Sequence, residues 1–327
     1  MEQKQRLFFF DNVKGFLIIC VVIGHFVDIS TNTSHMYRCI FGFIYTFHMP
    51  LFIFISGLFH KDERIFQKAL TDIIIGFISK IFIFALTLGP VRKASFSLFS
   101  DSWVPWFMFT LATYEVLAYY LRNIDKKFLL IIAISMGCFV GYDSTVQDFL
   151  YLSRIIVFFP FYLLGLMVKK DALIEISSKR SLKAFSVAVL IAWFFCFYFF
   201  EYTYKLRGLF TGRNPFGSFS NEIILVYGGL FRLLCYIITI IIGFAVLCVV
   251  PKINLGFFSA FGQRTIQVYF WHPIFLPYLT KLIGNALVSS LTGKIIWILC
   301  AVAVAFITGM RIFSFPVKQI RENCRST

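Results

Sequence analysis

Charge is scarce in this 327-residue chain. Only 14% of residues are Asp, Glu, Lys or Arg, against 59% hydrophobic and 20% aromatic. Soluble domains carry about 25% charge and about 45–50% apolar residues, and the mean hydropathy here is +0.81. A water-soluble globular enzyme is therefore excluded, because 44 Phe exceed what a water-facing core hides. Disorder is excluded too, since disordered chains are rich in charge and poor in aromatics. Acidic residues are fewest of all, with 16 Asp and Glu against 31 Lys and Arg. The chain also lacks a GxSxG elbow, an HExxH helix, a GxxxxGK[ST] loop and a GxGxxG turn, which removes the common hydrolase, metalloprotease and nucleotide-binding chemistries. Its eight Cys show no CxxC spacing, so they read as small hydrophobes rather than metal ligands or a disulfide framework.

Long apolar runs remain, and they define the fold class: an all-α, polytopic integral membrane protein. A span needs roughly 20 apolar residues. Ten candidates follow, at 11–29, 39–59, 70–90, 104–122, 127–142, 151–169, 182–201, 222–250, 257–280 and 294–315. The fifth is short, and the eighth is long enough to tilt or to protrude. No composition shift divides the chain, so 1–327 reads as one domain. The first run carries no small-x-small cleavage site after Val27-Asp28-Ile29-Ser30 and reads as a retained helix. Basic residues sit in the short loops between runs. With the N-terminus inside, 18 Lys and Arg fall on the inner side and seven on the outer, which predicts both termini in the cytoplasm. The excess of +15 thus orients helices and does not signal nucleic acid. The longest outer loop, about 202–221, carries Arg207 and Arg213 among Gly208, Gly212, Pro215 and Gly217. It reads as an irregular basic lid or binding loop.

Ionisable groups inside spans are expensive and mark function. Lys14, His25, His48, Lys80, Glu115, Arg154, Arg232, Arg264 and His272 are the candidates, with Lys80, Arg232 and Arg264 equally readable as structural ties. A rise of about 1.5 Å per residue puts His25 roughly 21 Å and His272 roughly 22 Å from the inner side, and His48 roughly 14 Å from the outer. Three imidazoles at one depth predict a shared polar cavity. Lys14 and His25 share a helix face but stand about 16 Å apart. That geometry suits a long ligand, anionic at one end and reactive at the other, such as an acyl-coenzyme A. Asp11 and Asp28 neighbour the two at three-residue spacing, and Asp28 either orients the imidazole or faces outer water. Basic residues such as Arg64 and Lys68 would attract phosphates at the inner side. With the metal and nucleotide motifs absent, a histidine base is the simplest enzymatic chemistry left.

Five stretches resemble one known family. Asp11-Asn12-Val13-Lys14-Gly15 running on to Gly24-His25, Phe47-His48-Met49-Pro50-Leu51-Phe52, Pro105-Trp106-Phe107-Met108, Arg154 with Phe159-Pro160-Phe161-Tyr162, and Tyr269-Phe270-Trp271-His272-Pro273 occur in the order of the membrane acyltransferase family 3 proteins. The branch they resemble is that of the fucose 4-O-acetylase-like acetyltransferases. In that family an Arg, ten residues and a His mark the first span; here Lys14 takes the Arg position, a point charge without the bidentate fork. The resemblance implies a bacterial inner-membrane O-acetyltransferase. It would take the acyl group from cytosolic acetyl-CoA, a donor substrate rather than a resident cofactor, to a hydroxyl of an envelope glycan or lipid-linked saccharide. His25 and Lys14 carry over as base and cation, with Asp28 beside them. His48, Arg154 and His272 would shape the cavity or stabilise the oxyanion, and Asp11, Trp106 and Glu115 join them as expected substrate-binding residues. Lys14, Arg64 and Lys68 would hold the donor, and no metal is expected. The rival reading is a proton-coupled transporter or flippase for a polar or glycan substrate. Oligomeric state is not readable.

Overall fold

A segment crossing hydrocarbon has to satisfy its own backbone, and for a single run of chain that means a helix. The computed structural model describes residues 2–87, 96–100, 104–219, 221–283 and 290–326, and every regular element among them is helical. In chain order these are α1 Glu2–Asp28, α2 His35–Tyr45, α3 His48–Leu58, α4 Ile65–Thr87, α5 Trp106–Tyr120, α6 Lys126–Phe139, α7 Leu152–Met167, α8 Lys170–Ser177, α9 Arg180–Phe199, α10 Tyr202–Lys205, α11 Arg207–Thr211, α12 Glu222–Val249, α13 Phe257–Gly262, α14 Thr265–Ile283, α15 Leu291–Thr308 and α16 Val317–Ser326.

Seven stretches among the described residues are long and apolar enough to cross a membrane: Phe8–Asp28, α2 with α3, α4, Phe149–Met167, α9, α12 and α15. The expected runs 104–122, 127–142 and 257–280 are helical but different in form. They become the 15-residue α5, the 14-residue α6 followed by a 3-10 turn, and the pair α13 and α14. The end of the expected run 70–90, residues 88–90, lies outside the described residues. Burial sorts the spans. The α1 span is 72% buried and α9 only 11%, so α1 is an axis of the bundle and α9 faces outward.

The expected second span is two helices. Pro50 has no N–H to give to the Thr46 carbonyl four residues earlier, and its ring crowds that carbonyl. The chain breaks at Phe47 (φ −132°, ψ −28°), and the Thr239 hydroxyl of α12 donates to the stranded carbonyl at 2.9 Å. Close backbone approach fixes where α3 lies. A Cβ on Gly57 would meet the Tyr162 carbonyl of α7, and one on Gly165 the Phe54 carbonyl of α3, the small-residue contact that lets membrane helices touch. Gly262 of α13 abuts the Asp11 backbone in the same way.

Three cations that the sequence left open between function and structure are backbone ties. Lys80 donates to Ser97 and Leu98 carbonyls at 3.0 and 2.8 Å. Arg264 donates to the Gly309 carbonyl at 3.3 Å, and buried Arg232 to that of Leu209. The segment 202–219, read from sequence as irregular, is instead α10, α11 and a 3-10 turn at Phe216–Ser218. Gly212 ends α11 in the left-handed region (φ +69°), which glycine adopts without a Cβ clash. Its carbonyl then accepts from Ser153 of α7 at 2.7 Å.

Candidate functional site

One helix break and one helix-internal proline set the places of His48 and His272. His48 follows the break at Phe47, and its Nδ1 lies 2.8 Å from the Ile44 carbonyl. His272 precedes Pro273 inside α14, and its Nδ1 lies 2.9 Å from the Val268 carbonyl. A carbonyl only accepts, so both Nδ1 atoms carry the proton, and in its neutral form each ring presents Nε2 as an acceptor. His272 Nε2 is buried with no hydrogen-bond partner among the described residues. His25, one turn from the end of α1, sets its ring 5.4 Å from that of His272, the two planes tilted by 34°. His48 and Arg154 also lie within electrostatic reach of His25.

A cavity of about 380 Å³ opens over this cluster. Its floor and walls hold His25, His48, Tyr45, Trp106 and Arg154, and its roof is the 202–219 segment through Lys205, Arg207, Arg213, Asn214 and Phe219. Arg154 is 3% exposed. Its guanidinium sits 4.7 Å over the Trp106 ring and 3.2 Å from Asp148, while Nη1 has no hydrogen-bond partner among the described residues. Arg213 reaches the other oxygen of Asp148 at 3.6 Å. Asp28 lines the cavity, exposed, within electrostatic reach of Arg207 and Arg213.

The opposite end of the bundle carries a second polar set. Lys14 pairs with Asp11 at 2.7 Å, and the same carboxylate accepts from Gln263, the residue that follows α13, at 2.9 Å. Lys14 and Gln263 line a cavity of about 180 Å³. Beside it lies one of about 330 Å³, lined by Arg64, Lys68, Asp72 and Glu115; Ser56, Leu111, Ile266 and Arg321 belong to both. Lys68 pairs with buried Glu115. Arg64 holds a left-handed backbone (φ 58°), a strained conformation for a side-chain-bearing residue that clusters at functional sites. Met49 is shared between the first cavity and the histidine cavity.

The expected residues thus divide in two. His25, His48, His272, Trp106, Arg154 and Asp28 come together at one end. Lys14, Asp11, Arg64, Lys68 and Glu115 gather at the other, so Glu115 sits with the cations and away from the imidazoles. Sequence reasoning missed Tyr45, Asp148, Gln263, Asp72 and Arg321. Only Asp72 had a usable signal, a charge within an apolar run. No three His, Cys, Asp or Glu side chains converge as a metal site among the described residues.

An all-helical bundle with membrane-length apolar spans and a buried imidazole cluster defines a multi-pass integral membrane protein with an intramembrane polar site. Residues 7–313 match the family described as an acyltransferase domain, and the chain belongs to acyltransferase family 3. Over 97 residues it is 35% identical to "Nodulation protein NolL" of Sinorhizobium fredii (strain NBRC 101917 / NGR234), a stretch covering 28% of this chain. The match spans 26%, about a quarter, of that relative's length. No solved structure matches the chain.

Proposed function

We propose that the protein is an O-acyltransferase that moves an acetyl group from acetyl-CoA to a hydroxyl of an envelope glycan or lipid-linked saccharide, in a bacterial cytoplasmic membrane. The observation that carries this reading is the pairing of the two sites. A basic set at one end leads through adjoining cavities to Met49, and on the far side of Met49 lies a cavity floored by imidazoles. The donor's phosphates would lie with Lys14, Arg64, Lys68 and Arg321 on the cytoplasmic side, and its thioester would reach toward His25.

In the transfer step His25 takes the hydroxyl proton as the acceptor oxygen forms its bond to the thioester carbonyl carbon. The C–S bond then breaks, and the departing coenzyme A thiolate takes the proton from the imidazolium. A positioned base of this kind contributes about 10²–10⁴-fold. His48 and His272 expose acceptors, so of the three groups expected at the oxyanion Arg154 is the one able to donate.

Acetyl-CoA binding to the purified chain, measured by calorimetry beside Lys14→Ala and His25→Ala, tests the reading without knowledge of the acceptor. Binding that weakens in Lys14→Ala and persists in His25→Ala, with glycan acetylation lost in cells carrying His25→Ala, is the expected result. A folded sample that binds no acetyl-CoA would sink the proposal and favour the transporter.

A further inference from the structure

The roof of the histidine cavity carries more positive charge than its own carboxylates balance. Lys205, Arg207 and Arg213 project from α10, α11 and the turn after it, and Arg154 stands behind them. Asp28 is the one carboxylate among the described lining residues, and Asp148 is already shared between Arg154 and Arg213. Arg207 and Lys205 lie against aromatic rings, 4.3 Å from the Tyr204 centroid and 5.3 Å from that of Tyr202. Among the described residues buried Arg154 Nη1 has no hydrogen-bond partner, a donor that is costly to leave unmet.

Unbalanced cations around a buried, unmet donor are a site for an anion. Donor phosphates are served at the opposite end by Lys14, Arg64 and Lys68, about 16 Å away along α1 from Lys14 to His25. Asn214, Thr211 and Ser218 add hydroxyl and amide groups to the same wall, and Tyr45, Trp106 and Phe219 add rings, the mixture that reads a sugar. We infer that the acceptor is an anionic saccharide, one bearing a carboxylate or a phosphate near the hydroxyl that is acylated, held by Arg207, Arg213 and Arg154. The inference rests on the transfer reading for the word acceptor, while the anion site stands on the cavity alone.

The test is calorimetry on the full chain in a polyoxyethylene detergent, which has neither sugar nor phosphate to compete. The probes are trigalacturonic acid, inorganic pyrophosphate and neutral maltotriose. Trigalacturonate should bind where maltotriose does not, and pyrophosphate shows whether phosphate substitutes for carboxylate. The double variant Arg207→Ala/Arg213→Ala should bind the anionic sugar at least about tenfold more weakly, as expected for two charge-assisted hydrogen bonds lost. Arg207→Lys/Arg213→Lys should recover part of it, and acetyl-CoA binding should be unchanged in both, which also reports folding. Maltotriose binding as tightly as trigalacturonate, or neither binding to a sample that binds acetyl-CoA, overturns the inference. So does a parallel loss of acetyl-CoA affinity in the alanine pair, which would assign these charges to the donor. Intact acetylation in His25→Ala with the binding results as expected would instead fault the transfer reading and leave the anion site standing.

Discussion

Replacing Thr239 by Val changes one hydroxyl for one methyl and keeps the shape. That hydroxyl is the donor to the Thr46 carbonyl at 2.9 Å, left without its helical partner because Pro50 has no N–H. Thr46 is 0% exposed, so no water replaces the bond. A buried orphan of this kind costs about 1–3 kcal/mol, whereas interhelical hydrogen bonds in membranes average about 0.6 and reach about 1.7 kcal/mol. The zero exposure puts the cost near the upper membrane value, about 1–2 kcal/mol. At about 2–4 °C per kcal/mol for chains of 150–250 residues, the apparent Tm in detergent should fall by a few degrees. Thr113→Val is the matched control. Its hydroxyl donates at 2.9 Å to the Phe109 carbonyl, which keeps the Thr113 N–H of α5, and its apparent Tm should hardly move. Equal shifts in the two variants would refute the argument that the proline break is held open by α12.

Two further perturbations test the packing and the ionisation. Gly165→Ala drives a Cβ into the Phe54 carbonyl and should cost about 1–3 kcal/mol or more, seen as loss of a monodisperse peak on size exclusion, while Gly217→Ala, with open space around its Cβ, should behave as wild type. His60, in the loop after α3, hydrogen-bonds through Nδ1 with the Tyr162 hydroxyl at 2.9 Å, and burial holds its pKa below the ordinary imidazole value against the opposing pull of Asp62. A lowered folded value means the unfolded chain binds the proton first, so stability is complete above about pH 6.5 and falls as the pH drops below it. Apparent Tm measured at neutral and mildly acidic pH should show that fall, and His60→Gln should reduce it; an unchanged pH slope in the variant would be the contrary result.

The spans were readable because a bilayer demands about 20 apolar residues whatever the partner, and α1, α4, α9, α12 and α15 show that demand in composition alone. Helix α5 falls short of it and is covered by its neighbours, whereas α6 falls short with most of its surface exposed. The break before His48 was written in Pro50, three residues into the new helix, but a continuous apolar run hides it. The imidazole cluster was foreseeable from depth, since rise per residue is fixed. Pairings across the bundle were not. Asp148 reaches Arg154 and Gln263 reaches Asp11 through tertiary packing, 252 positions apart in the latter case, and no local rule carries that far. Asp28 belongs to both sets of rules: its spacing on α1 puts it near His25, while Arg207 and Arg213 of the roof reach it electrostatically through tertiary packing alone.

Met49 has a consequence for electrical insulation. A membrane holding 100 mV drives each elementary charge with about 2.3 kcal/mol, and a bundle hollow from both faces would be a short circuit if water ran through it. The cavities meet at Met49, 9% exposed, an unbranched apolar chain with Phe52, Phe107 and Tyr269 beside it. Such a septum is a dielectric: charge on either side keeps its own aqueous bath, and the acetyl transfer we propose would hand a neutral group across it without carrying current.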